Sequence, residues 1–329
     1  MNPLMKTTFL CLLALTAAHA AEPTSPSPAN SDSLIQVPAA PEKGFHFPYV
    51  IFIPKSAQGK ASSHLLVEPN NTGRPDDDIE VHRAAAIRLA RDSSVGNFVA
   101  VRLGIPLLVP VFPRPSSIED TYTHSLDRDT MLIREGPLKR LDEQLIAMAE
   151  DARGRLAALG HPVNAKLLLN GFSASALFAN RFTFLPPEIV AAAAFGGVNG
   201  FIMVPAAERS GRPLRFPLGL ADFEEIAGHP FDRGAYSRVP QFSYMGEKDT
   251  NDAVMHDDAY SADERALILE LFGRAMLPDR WDAVQAVYRQ QELPIEFKTY
   301  PGIPHGTNRA INSEVADFFH RIIQQPPKT

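Results

Sequence analysis

The chain has 329 residues, 45% apolar, 9% aromatic and 21% charged. These are the fractions of a folded globular protein, which excludes a disordered chain, a collagen-like repeat and a coiled coil. Its net charge of −6, from 32 Lys and Arg against 38 Asp and Glu, forms no basic stripe that would neutralise phosphates, so nucleic acid is not an expected partner.

Lys6 precedes an apolar run over 9–15, and Ala18-His19-Ala20 then offers an A-x-A cleavage site, so residues 1–20 read as a signal peptide. The run is too short for a stable membrane anchor, and the protein is expected to be exported, periplasmic or extracellular. The one cysteine, Cys11, lies in that segment. A cleaved chain would have no thiol, which removes disulfides, thiol catalysis and cysteine–zinc sites. Residues 21–44 begin with the Pro- and Ser-rich stretch 22–28 and read as an extended linker to a single domain over 45–329.

From there, strand-like apolar runs at 49–53, 64–68, 105–111, 166–169, 190–195, 241–245 and 295–300 alternate with helical patterns. A helix is predicted from Pro137 to just before Gly160, with Leu138, Leu141, Leu145, Met148, Ala152, Leu156 and Leu159 on one stripe. Further helices are predicted over about 262–292 and 312–324, and Trp281, Val284, Val287 and Tyr288 are read as core. The alternation implies an α/β fold, a mostly parallel central sheet with helices on both faces. The Pro-rich excursion 204–239 breaks the rhythm before the strand at 241 and is expected to act as a lid. Its Phe216, Phe223 and Phe231 would meet an acyl chain, and Arg209, Arg212 and Arg215 a carboxylate.

The segment that carries chemistry is Leu167-Leu168-Leu169-Asn170-Gly171-Phe172-Ser173-Ala174-Ser175, a buried strand running into a tight turn and then a helix. A nucleophilic serine needs this shape. The turn projects the hydroxyl past the sheet edge, small neighbours let the backbone close, and the amide of Ala174 at the helix start meets developing negative charge. A helix-capping serine would fit the bare five residues as well. Serine also requires a base and an orienting acid. Asp249 follows the strand ending near Gly246, and His305 lies in the loop after the strand 295–300. Both thus fall at the same sheet edge as Ser173, with His305 as base and Asp249 as orienter. Asp252 is the rival acid and His256 the rival base; closeness to the strand end favours Asp249. The acids at 249–252 and 256–258 lack calcium-loop spacing, and Gly196-Gly197-Val198-Asn199-Gly200 lacks the pattern of a phosphate loop.

The order Gly171-Phe172-Ser173-Ala174-Ser175, Gly246-Glu247-Lys248-Asp249, Pro301-Gly302-Ile303-Pro304-His305-Gly306 resembles the α/β-hydrolase superfamily, and most of all its secreted esterase and polyester-depolymerase branch, over roughly residues 45–325. Two departures stand out: Ser175 replaces the usual glycine, and no His-Gly-Gly loop follows the early strand. The resemblance implies that the loop in its place, Glu68-Pro69-Asn70-Asn71-Thr72-Gly73, gives the second oxyanion amide, from Asn71 or Thr72. The expected function is hydrolysis of a small or polymeric carboxylic ester through an acyl-enzyme, with no cofactor and no metal. A serine peptidase is the enzymatic alternative, disfavoured because the chain lacks the extra domain of a prolyl-peptidase relative. A binding protein that kept the fold and lost turnover is the other. The oligomeric state is left open.

Overall fold

Three consecutive leucines set the geometry of the molecule. Leu167 and Leu169 point into one apolar cluster, Leu168 into another, and all three are buried, because successive side chains of a strand face opposite sides. A strand buried on both faces needs helices on both sides, and the chain supplies them.

The structure, a computed structural model, describes residues 31–57, 63–92 and 94–324. The signal-peptide reading of 1–20 falls outside them. In chain order come β1 (Ser33–Val37), β2 (Tyr49–Ile53), β3 (Ser63–Val67), α1 (Ile79–Arg91), α2 (Val95–Leu103), β4 (Leu107–Pro110), the short α3 (Arg128–Leu132) and α4 (Leu141–Ala158). Then follow β5 (Val163–Phe172), α5 (Ala174–Phe184), β6 (Val190–Gly196), and an excursion with the hairpin β7 (Glu208–Arg209) and β8 (Arg212–Pro213) and the single turns α6 (Phe223–Ala227) and α7 (Arg233–Tyr236). The last part holds β9 (Gln241–Gly246), α8 (Ala262–Phe272), α9 (Trp281–Gln290), β10 (Ile295–Tyr300) and α10 (Arg309–Ile323).

The large sheet has eight strands in the order β1-β2-β4-β3-β5-β6-β9-β10. Only the β1–β2 and β2–β4 pairs are antiparallel; every pair from β4 to β10 is parallel. One face packs on α4, α5, α8 and α9 through residues such as Leu145, Met148, Phe178 and Trp281. The other packs on α1, α2 and α10 through Ala86, Val99, Val315 and Phe319. This is the predicted class, a mostly parallel sheet between two helical layers. Among the described residues no helix is long and apolar enough to cross a membrane.

Four details differ from the sequence expectations. Residues 33–37, inside the expected linker 21–44, form an edge strand: Ile35 pairs with Ile51 and Val37 with Tyr49, and Val37 is buried. The short Leu-Ile-Gln-Val pattern outweighs its polar flanks once β2 offers a partner. The helix expected from Pro137 starts at Leu141. Arg140 adopts a left-handed φ of 50°, and the Gln144 amide takes the carbonyls of Pro137 and Lys139 at 2.7 and 2.9 Å, in place of helical N–H groups. The helix expected over 262–292 is two helices, because Gly273 turns to φ +109° and ends α8. The terminal helix begins a turn earlier than expected, at Arg309, capped by Asn308 Oδ1, which accepts from the Ile311 amide at 3.0 Å.

Candidate active site

The segment β5–α5 turns through Ser173, whose φ of 63° and ψ of −128° lie where side chains other than glycine are strained by about 1–3 kcal/mol. Three features hold it. The Ser173 amide donates to the Gly196 carbonyl of β6 at 2.9 Å. Gly171 lets the helix close on the strand, since a Cβ there would lie 2.2 Å from the Ser175 carbonyl oxygen. Ser175 Oγ accepts from the Phe172 amide at 3.0 Å and donates to the Phe172 carbonyl at 2.9 Å. The departure from glycine at 175 is therefore a staple across the turn. Ser173 keeps 9% of its surface exposed, and the first amides of α5, with no partner within the helix, lie at its base.

The loops after β9 and β10 are fastened to each other. Glu247 donates its amide to the Tyr300 carbonyl at 2.9 Å, Lys248 its amide to the Ile303 carbonyl at 2.8 Å, and Gly302 its amide to the Glu247 carboxylate at 2.7 Å. This brings the buried Asp249 to His305, with Oδ2 2.8 Å from Nδ1. A carboxylate only accepts, so Nδ1 carries the proton and Nε2 is the acceptor nitrogen. Asp249 Oδ1 takes the Asn251 amide at 3.0 Å. The imidazole lies against Phe172, ring centroids 5.1 Å apart, beside the serine turn. The rivals lie elsewhere. Asp252 caps the Val254 amide and pairs with Arg280, and His256 sits in an exposed turn. Asp257 and Asp258 pair with Arg265 and Arg114.

Asn251 is a residue the sequence reading passed over. Its Nδ2 lies 3.0 Å from His305 Nε2, while Ser173 Oγ has no hydrogen-bond partner within 3.5 Å among the described residues. Nothing in its spacing along the chain announces that contact.

On the opposite side stands the 68–73 loop. The Asn70 side chain pairs with both the amide and the carbonyl of Phe112, at 3.0 and 2.8 Å, tying the exits of β3 and β4. Asn71 Oδ1 accepts from the Gly73 amide at 3.0 Å, and Thr72 Oγ1 donates to the Arg74 carbonyl at 2.8 Å. Their side chains thus shape the turn, and among the described residues their backbone amides donate to no protein group. Glu68, also unremarked in the sequence, is buried and accepts from the Gly96 amide at 2.6 Å and Asn170 Nδ2 at 2.8 Å; burial pushes its carboxyl up to about 7. A cavity of about 720 Å³ opens here, bounded by Asn71, Phe98, Val101, Phe172, Ser175 and Arg309.

That cavity is lined by neither Ser173 nor His305, and the excursion 204–239 does not line it. Phe216 and Phe223 are buried in the core and are not free for an acyl chain, and Phe231, half-buried, packs on Phe184, Phe223 and Tyr236. Arg209 stacks on Phe272 and Arg212 pairs with Glu270 at 2.8 Å. Phe216 and Phe223 thus serve the core rather than the acyl-binding surface expected of them. Among the described residues no cluster of His, Cys, Asp and Glu could hold a metal.

No protein-family model matches the chain, and no curated protein matches it. Solved structures do. It is similar to poly(aspartic acid) hydrolase-1 from Sphingomonas sp. KT-1, at 16% identity over 90% of this chain and 99% of that one, with a TM-score of 0.56. It is also similar to a poly(3-hydroxybutyrate) depolymerase from Bordetella parapertussis, at 15% identity over 91% and 92%, with a TM-score of 0.53. At such identities the likeness speaks to architecture, and the architecture is the α/β-hydrolase fold.

Proposed function

We propose that this α/β-hydrolase-fold protein is a serine hydrolase that cleaves carboxylic esters, small or polymeric, through an acyl-enzyme. The observation that carries the reading is the buried Asp249 carboxylate 2.8 Å from His305, with the imidazole against Phe172 beside a serine held at φ 63°. In this reading Ser173 Oγ attacks the ester carbonyl while its proton passes to His305 Nε2, and Asp249 stabilises the imidazolium. The amide of Ala174, with one from Asn71 or Thr72, receives the oxyanion. The imidazolium then protonates the leaving alkoxide, and water repeats the sequence to release the acid.

One similar structure is of a poly(3-hydroxybutyrate) depolymerase, which makes a polymeric ester a natural first substrate to try beside nitrophenyl esters. Export is part of the proposal: residues 1–20 are removed and the mature chain begins at Ala21. N-terminal sequencing of protein recovered outside the cytoplasm tests that; a retained Met1 counts against it.

Fluorophosphonate labelling of the purified protein tests the chemistry. A stable adduct on Ser173, lost in Ser173→Ala, is the expected result. Failure of the wild-type protein to form it removes the enzymatic reading and leaves a non-catalytic binding protein of this fold.

A further inference from the structure

Resting on the hydrolase reading above, we propose that Asn251 is a latch on the base, whose side-chain amide occupies the His305 nitrogen that must receive the serine proton. An imidazole nitrogen offers one in-plane lone pair. Nδ1 of His305 is committed to Asp249 Oδ2 at 2.8 Å, and Nε2 is met by Asn251 Nδ2 at 3.0 Å. Acylation breaks the Ser173 O–H bond, forms an N–H bond at Nε2 and forms a C–O bond to the ester carbon, whose π pair moves onto oxygen. The lone pair that takes this proton is the one Asn251 holds. The amide must leave first.

The loop is built for a side chain that leaves while its backbone stays. The Asn251 backbone amide is anchored on Asp249 Oδ1 at 3.0 Å, and the backbone amide of Lys248, immediately before Asp249, donates to the Ile303 carbonyl at 2.8 Å. The Asn251 side chain is half-buried, its neighbour Thr250 is exposed, and His305 Nε2 is its one hydrogen-bond partner among the described residues. A rotation about the first side-chain torsion frees Nε2 without disturbing the Asp249–His305 pair. One net hydrogen bond is all that opposes it, so the latch slows acylation modestly rather than blocking it.

The test is the second-order rate of fluorophosphonate labelling of the full purified protein. Asn251→Ala is expected to label ~3- to 10-fold faster than wild type, the range set by one hydrogen bond. Asn251→Ser, polar but too short to reach Nε2, is expected to do the same and serves if the alanine variant folds poorly. Asn251→Asp is expected to label more slowly, because a carboxylate there holds a proton on Nε2. A purely structural asparagine would slow all three variants and lower their Tm together. Alanine and serine variants at or below the wild-type rate overturn the latch, as does an aspartate variant as fast as the alanine one. Those outcomes leave the hydrolase reading standing; a wild-type protein that does not label at all removes both.

Discussion

The serine turn and the acid loop end neighbouring parts of one sheet, yet they are held by different means. Residues 171–175 are fixed by backbone contact: a strained φ at Ser173, no room for a side chain at Gly171, and a hydroxyl staple at Ser175 onto main-chain atoms. Residues 247–252 are held mainly by side chains and by the loop opposite, and their key contacts, Asp249 and Asn251 on His305, are side chain to side chain. The proposed nucleophile is thus held by contacts that leave little room to adjust, and the proposed base beside an Asn251 side chain with one torsion to turn. A site that binds, acylates and releases needs one group as a fixed reference and another free to exchange hydrogen-bond partners.

Substitutions can break this contrast at graded cost. Asp249→Asn should lower kcat for a nitrophenyl ester by about 10⁴ with the fold intact, because the imidazole loses its orienting anion. Asp252→Asn, which touches Arg280 instead, should leave kcat within a few-fold. The reverse pattern would move the acid to Asp252.

Glu68 tests the floor beneath the turn. Its carboxyl is held near 7 against an ordinary 4.5, so the folded protein keeps a proton that the unfolded chain gives up. That contribution to stability is complete below about pH 4.5 and is lost as pH rises through 7. Glu68→Gln keeps the shape and removes the titration. Between pH 5 and 8 the wild type should lose stability relative to the variant by roughly 3 kcal/mol at most, measured by urea unfolding at each pH. Parallel pH profiles for the two proteins would show that Glu68 does not titrate there.

Gly171→Ala forces a Cβ toward the Ser175 carbonyl and should cost about 2 kcal/mol of stability, with a larger relative loss of activity as Ser173 shifts. Ser175→Ala removes the staple alone and should cost about 1 kcal/mol in Tm-derived stability. If Ser175→Ala proves as harmful to activity as Gly171→Ala, the hydroxyl and not the close approach fixes the turn.

What was readable in the sequence was local. Leu167–Leu169 followed by Gly171-Phe172-Ser173 defines a strand and a turn within ten residues, and Asp249 and His305 each sit just past a recognisable strand. What was not readable depends on distant partners. β1 is five residues among polar neighbours and becomes a strand because β2 is beside it. The break between α8 and α9 rests on one glycine, Gly273. Glu68 acquires its character from burial where Asn170 and Gly96 meet it, and Asn251 from His305, surroundings that no spacing along the chain announces. The aromatic residues of 204–239 were visible, but not that Phe184 and Tyr236 would receive them.

Ser175 supplies with a hydroxyl what glycine supplies by having no side chain, so searches that demand Gly-x-Ser-x-Gly pass over proteins built this way. A filter written on conformation would collect them: a serine near φ 63° between a parallel strand and a helix, with a hydroxyl two residues on that returns to the strand's last peptide. The same filter marks position 175 as a place where enzyme engineers can exchange serine, alanine and glycine to tune how stiffly a nucleophile is presented.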